Sequence, residues 1–195
     1  MALDNFFRFV SDFKSVASLI GKAAVIAPFL GLLLNIGPPW PSGTGVPTLT
    51  AVAEVFVLIY AFQFYPSLGK RRLEKRLRLF FILVTVCFVL YISLYSFFVY
   101  DVPLTNSREV RGFIVRDEVQ KIISPQHTIE YWLESAQWDE FRIWEAWTIQ
   151  TTRTSLLLSW ILFFVSLAGC IAIFVLMQQK FGAPKARTTK RVAKT

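Results

Sequence analysis

The residue best suited to chemistry is Glu54, an acidic side chain inside an otherwise apolar run. The run covers residues 47–65, and Glu54 is its single charged residue. A charged group near the centre of a membrane span costs about 2.5–3.5 kcal/mol, so such groups usually face a protein interior or water. Two interpretations stay open. The side chain is a pore-lining or proton-carrying carboxylate, or it is a protonated or snorkelling group that pairs with Thr48, Thr50 or a neighbouring helix.

A second candidate site is a dense strip of cations in segment 66–78. The strip contains a single acid, Glu74. Its cations are Lys70, Arg71, Arg72, Lys75, Arg76 and Arg78. Such a strip suits an anionic partner, for example a nucleotide, a nucleic acid or an acidic lipid headgroup. Arg71, Lys75 and Arg78 would share one helical face. The alternative is ordinary charge that keeps a loop in the cytoplasm, which explains most clusters of this kind.

Four of the six tryptophans lie in segment 127–154, together with five carboxylates. No glycine or proline interrupts residues 126–168, which predicts one continuous helix from Thr128 through the next apolar run. Its apolar stripe must pack on the outer headgroup layer, on the preceding connector, or on other copies of the chain. We favour the oligomer, because the connector offers little apolar surface. The interface candidates are Trp132, Trp138, Trp144 and Trp147.

The adjacent acids Asp139 and Glu140 lie in the same segment. Neighbouring carboxylates on an amphipathic helix are typical of a solvated face, and Asp117 and Glu118 have the same pattern. We therefore expect no acid–base pair here.

Four apolar runs are long enough to carry these residues across a membrane. They cover residues 15–36, 47–65, 79–100 and 155–177. The chain of 195 residues is 54% hydrophobic and 17% charged, and its mean hydropathy is +0.49. These values are wrong for a soluble domain. We expect an all-α, integral membrane four-helix protein.

The distribution of charge predicts the orientation of these spans. Cations concentrate in segment 66–78 and in the tail after the fourth run, whereas residues 101–153 carry nine acids and six bases. Lys and Arg near span ends are retained in the cytoplasm, so both termini are expected there. We expect four segments in the chain. Residues 1–100 hold three transmembrane helices with a short basic cytoplasmic loop, and residues 101–153 hold an extracytoplasmic connector and a tryptophan-rich amphipathic helix. The fourth transmembrane helix covers residues 154–179, and a basic cytoplasmic tail covers residues 180–195.

The connector itself shows two weak local patterns. Residues 108–115 favour one short strand, and residues 116–123 favour a helical turn or two, with Asp117 and Glu118 well placed at its N-terminus.

Catalytic and metal-binding signatures are missing from the sequence. There is one histidine, His127, and both cysteines, Cys87 and Cys170, lie inside apolar runs. No phosphate-binding loop, nucleophile elbow or HExxH motif occurs. We expect no enzyme activity, no metal and no cofactor.

In size, basic termini and lack of catalytic motifs, the chain resembles the small four-span effectors encoded in bacterial anti-phage operons. The layout also resembles tetraspanins, but their outer loop depends on cysteines, and residues 101–153 contain none. The effector resemblance implies a homo-oligomeric channel or membrane-depolarising effector of the bacterial inner (plasma) membrane, gated by a nucleotide or nucleic-acid type signal at its cytoplasmic face. The alternative is a non-conducting accessory or scaffold subunit that docks on a partner membrane protein.

Overall fold

The computed structural model describes residues 26–31, 33–34, 36–41, 44–103, 107–120 and 129–181, and these are mostly helical. Within these described residues, three helices are long and apolar enough to cross a membrane. In chain order the elements are α1 (Gly45–Phe64), α2 (Lys70–Phe98), β1 (Val99–Val102), β2 (Ser107–Val110), α3 (Asp117–Gln120), α4 (Ile129–Ser135), α5 (Glu140–Ile143) and α6 (Ala146–Phe181). A short 3-10 turn, Tyr65–Ser67, extends α1.

The three long helices coincide with the predicted runs 47–65, 79–100 and 155–177. Residues 26–31 and 33 of the predicted run 15–36 are helical, and most of that run lies outside the described residues. The 36 residues of α6 span about 54 Å, more than the roughly 30 Å of a bilayer's hydrocarbon core. Half of its most apolar window is buried, against 11% for α2. Helix α6 is therefore the central helix of the described bundle.

Two apolar clusters join α6 to its neighbours. The first, near the start of α2, contains Ala61, Phe62, Tyr65, Leu73, Ala172, Ile173, Val175 and Leu176. The second lies nearer the other end and contains Val46, Tyr91, Val110, Leu156, Trp160 and Phe164. Between them Gly169 lets the helices approach closely, since a Cβ atom there would overlap the ring of Phe80.

The ends of the helices differ in what they carry. Lys180, near the end of α6, donates to the carbonyl oxygens of Pro66 and Leu68, both at 2.8 Å. The α1–α2 connection and the end of α6 therefore lie at the same end of the bundle. The short strands and helices follow the C-terminus of α2 and precede α6, so they lie at the opposite end.

A two-stranded antiparallel sheet departs from the all-α prediction. Strands β1 and β2 pair with Val99 opposite Val110 and Val102 opposite Ser107. The strand expected within residues 108–115 overlaps β2, but its partner β1 comes from the end of the third predicted run. The turn expected within residues 116–123 is present as α3.

The continuous helix expected from Thr128 through the last span is wrong. Thr128 lies outside the described residues, and helix α4 ends at Ser135. Gln137 and Trp138 then adopt positive φ values of 58° and 60°, a conformation that costs about 1–2 kcal/mol per residue. Trp144 leaves α5 to form a bridge with Val115. Helix α6 starts only at Ala146. The bridge between Trp144 and Val115 stabilises the break, because it ties this segment to the preceding connector.

Candidate functional site

Glu54 lies on the face of α1 that packs inside the protein. Its side chain is 0% exposed, as is that of Thr50 one turn earlier. Neither carboxylate oxygen accepts a hydrogen bond from any residue that the structure describes. A charged carboxylate there would cost several kcal/mol.

The partners expected for Glu54 are engaged elsewhere. The Thr50 hydroxyl donates to the Val46 carbonyl at 2.8 Å, and the Thr48 hydroxyl donates to the Thr44 carbonyl at 2.7 Å. Pairing with either threonine is therefore wrong. So is the snorkelling interpretation, because the Glu54 side chain is fully enclosed.

The surroundings of Glu54 follow from its position along α1. It lies between Val46, a member of the second cluster, and Ala61, a member of the first. The stretch of α6 between the same two clusters carries the small buried residues Ser166 and Ala168. In general a carboxyl group can accept and release a proton, and a carboxylate can coordinate a cation. Among the described residues no group of three acids, histidines or cysteines could hold a metal ion.

The predicted cationic strip divides into two parts. Four of its side chains line a cavity of about 700 Å³ together with Leu68, Leu79 and Ile82; these are Arg72, Lys75, Arg76 and Arg78. The other two, Lys70 and Arg71, do not line it. Lys70 instead lies 4.0 Å from the carboxylate of Glu74. Of the three residues that the sequence placed on one face, Lys75 and Arg78 line the cavity and Arg71 does not.

One cation of the cavity is anchored to the bundle. The Arg76 guanidinium donates to the Tyr65 hydroxyl at 3.4 Å and lies 5.2 Å from the centre of its ring. Arg72, Lys75 and Arg78 make no ion pair or side-chain hydrogen bond within the described part of the chain, and all three are exposed. They are available to an anionic ligand.

Most of the tryptophans pack on their own chain. Trp144 is buried with Leu133, Ile143 and Ile149, and Trp132 and Trp138 pack against this cluster. Tyr100, near the start of β1, contributes ring contacts to Trp138 and Trp144 at 6.4 and 6.2 Å. The connector thus supplies the apolar surface that the sequence did not reveal.

Trp147 behaves differently from the other three. Its side chain is 55% exposed, and its ring meets that of Phe113 edge-on at 5.3 Å. Phe113 is also half exposed. Of the four predicted interface candidates, Trp147 is the one whose exposure best suits contact with another molecule.

An ion cluster that the sequence did not predict joins α6 to the module formed by residues 99–103, 107–120 and 129–145, called here the hairpin–tryptophan module. The Arg153 guanidinium lies 2.7 Å from Glu140 Oε1 and 3.3 Å from Glu109 Oε2. The Arg153 and Glu140 side chains are 8% and 10% exposed. Glu140 was expected on a solvated face, and that prediction is wrong.

The carboxylates of this cluster influence one another. Burial raises the pKa of Glu109, and the nearby charge of Glu140 raises it further, whereas Arg153 lowers it. Burial also raises the pKa of the Tyr100 hydroxyl, with Glu140 again adding to the effect. One signal for the cluster was present in the sequence, since Glu140 interrupts an otherwise apolar stripe. No local sequence pattern pointed to Arg153, because it lies thirteen positions from Glu140 in the chain.

The chain gives no match to protein-family models, to curated proteins or to solved structures.

Proposed function

We propose that the protein is a homo-oligomeric channel of the bacterial inner membrane, and that it passes protons or small cations and so depolarises the membrane. Glu54 is the observation that supports this proposal. It is fully buried in a span, and neither oxygen accepts a hydrogen bond from the described residues. A purely structural carboxyl at this depth normally has a partner, because an unpaired one is costly. A role for this carboxyl in transport explains why the cost is tolerated.

The proposed topology has four spans with both termini in the cytoplasm. The basic cavity and Lys180 lie at one end of the bundle, which is the cytoplasmic end by the charge rule for membrane proteins. The hairpin–tryptophan module lies at the other end and is placed outside. The fourth span is the predicted run 15–36.

The proposed path is closed in the described conformation. Glu54 is enclosed by its own chain and does not face a surface that a second copy would line. Conduction therefore requires α1 to move relative to α6, so that water or a cation can reach the carboxyl. The exposed apolar side chains of α2, such as Phe81 and Phe88, are available to neighbouring copies or lipid. Gating by a nucleotide-type signal, and a role in anti-phage defence, stay predictions.

Bilayer conductance of the purified full-length protein tests the proposal. Wild type and Glu54→Gln are compared in planar bilayers, and the oligomer mass is recorded from the same preparation. The glutamine keeps the shape and polarity of the side chain but cannot exchange a proton. We expect discrete wild-type currents that fall at least tenfold in the variant.

Glu74→Gln is the matched control, because it removes an acid of the same type at the exposed end of the bundle. Its currents should match those of the wild type. Equal currents from Glu54→Gln and wild type would remove Glu54 from the path. A well-formed oligomer that stays silent with and without nucleotides would oppose the channel itself.

The second candidate function is a non-conducting accessory or scaffold subunit, and the exposed pair Phe113 and Trp147 favours it. Exposed aromatic side chains are enriched where proteins bind one another. Under this function the wild type conducts no current, and a partner membrane protein co-purifies with wild type but not with Trp147→Ala. Trp144→Ala is unsuitable as a test, because it removes a buried side chain of the module.

A further inference from the structure

The basic cavity near the start of α2 opens beside a second, apolar groove. The groove has a volume of about 530 Å³ and lies between α2 and α6, where Leu77, Phe81, Cys170, Ile171 and Phe174 contribute to its walls. Arg78 and Ile82 line both the groove and the basic cavity. A ligand with an anionic head and an apolar tail could therefore occupy both spaces at once.

The position of the two spaces along α2 matches the edge of a membrane. The cations of the cavity end at Arg78, and the apolar run that predicts the span begins at residue 79. Clusters of Lys and Arg at this boundary attract anionic lipid headgroups. Leu79 and Ile82 are exposed on the same side, so the apolar surface continues from the cavity toward the bilayer.

We propose that this paired cavity and groove bind an anionic phospholipid, with the phosphate held by Arg72, Lys75 and Arg78 and an acyl chain lying along the groove. Arg76 is fixed by its contacts with Tyr65 and shapes the wall of the cavity. The proposal does not depend on whether the protein conducts ions.

A nucleotide fits the described site less well than a lipid. Nucleotide and single-stranded nucleic-acid sites commonly stack a base on an aromatic ring. No aromatic side chain lines the basic cavity in the described part of the chain. The nearest aromatic walls belong to the apolar groove, through Phe81 and Phe174, where a polar base and sugar would lose their hydration.

Native mass spectrometry of the full-length protein in mild detergent tests the lipid site. Long-chain phosphatidylglycerol is titrated against wild type, against Arg72→Gln/Arg78→Gln and against Lys70→Gln/Arg71→Gln. The last pair is the matched control, since it removes the same charge from the same helix outside the cavity. At roughly a fivefold gain per cation, we expect the cavity variant to bind roughly 30-fold more weakly than wild type. The control should stay within about fivefold, because only its long-range attraction is lost.

Three further arms use the wild type, so their results do not depend on a variant folding. Long-chain phosphatidylcholine should bind more weakly than phosphatidylglycerol. Short-chain phosphatidylglycerol should also bind at least tenfold more weakly, because it cannot fill the groove. Inorganic phosphate at millimolar concentration should not displace the long-chain lipid.

Several results would overturn the proposal. If both double variants lost the same affinity for phosphatidylglycerol, the cations would act only as ordinary cytoplasmic charge. Equal affinity for short and long chains, or displacement by inorganic phosphate, would make this a phosphate site without a lipid tail. Displacement by ATP or a short oligonucleotide at micromolar concentration would assign the cavity to a nucleotide-type ligand. Because no current is measured, each result is independent of the conductance experiment.

Discussion

Removal of the Glu140 carboxylate should destabilise the hairpin–tryptophan module severely. Glu140 and Arg153 are both nearly enclosed, with their charged atoms 2.7 Å apart. Loss of one partner from a buried ion pair costs about 3–5 kcal/mol, because the remaining charge is left without compensation. Glu109 lies 3.3 Å from the same guanidinium and is one-third exposed, so it offsets part of the loss. We therefore expect Glu140→Ala to cost about 3 kcal/mol, at the lower end of that range.

Equilibrium unfolding in urea, with the protein in mild detergent, measures this cost. Tryptophan fluorescence reports in part on the module, because three of the six tryptophans, Trp132, Trp138 and Trp144, lie within it. The matched control is Arg142→Ala, which breaks the exposed pair of Arg142 and Asp139. Exposed pairs contribute about 0.2–1 kcal/mol, so the control should change stability by less than about 1 kcal/mol.

A double variant separates the stranded charge from the loss of packing. Glu140→Leu with Arg153→Met replaces the pair by apolar side chains of similar size, which is often neutral or stabilising. Glu109 also loses its contact with Arg153, but it is one-third exposed and keeps contact with water, so we expect the double variant to be within about 1 kcal/mol of wild type. The reasoning would be refuted if the double variant were as unstable as Glu140→Ala, or if Glu140→Ala cost no more than the Arg142→Ala control.

Three further outcomes are expected from the same unfolding measurement. Because the pKa of Glu109 is raised in the folded protein, its stabilising contribution is present at acid pH and is lost as the pH rises. The stability of wild type relative to Glu109→Gln should therefore fall as the pH increases above about 4.3, and a flat difference would contradict this. Gly112→Ala places a Cβ atom 2.8 Å from the Cβ atom of Trp144 and should lower the free energy of unfolding by about 1–3 kcal/mol. The control Gly45→Ala should be nearly neutral, because no atom lies within 4 Å of its new Cβ atom. Glu54→Leu should stabilise the protein by about 1–3 kcal/mol, because it removes a buried carboxyl without a partner among the described residues. A loss of stability would contradict the unpaired state of this carboxyl.

Local patterns in the sequence were sufficient for the long helices. The length of an apolar run determines whether a segment can cross a bilayer, and this property needs no knowledge of distant residues. Three of the four predicted runs are helices of that length in the described structure. The exceptional position of Glu54 was also visible from its neighbours, and so was the short helix at Asp117, where acidic residues favour a helix start.

Tertiary contacts determine the features that were predicted wrongly from the sequence. Segment 129–145 contains no proline or glycine, yet its helix breaks at Gln137 and Trp138, because Trp144 gains burial and a bridge to Val115. The ion pair of Glu140 and Arg153 joins residues thirteen positions apart, and Glu109 joins it from forty-four positions away.

The cationic strip shows the same division between sequence and structure. The sequence by itself determined how many cations lie before the third run and that they end where the apolar residues begin. Which of them share a cavity was decided by the position of Leu68, in the segment before α2, whereas α6 contributes described side chains only to the adjoining apolar groove. Helical periodicity sets the angle of each side chain around its own axis, but only the neighbouring helix determines which angle faces a groove.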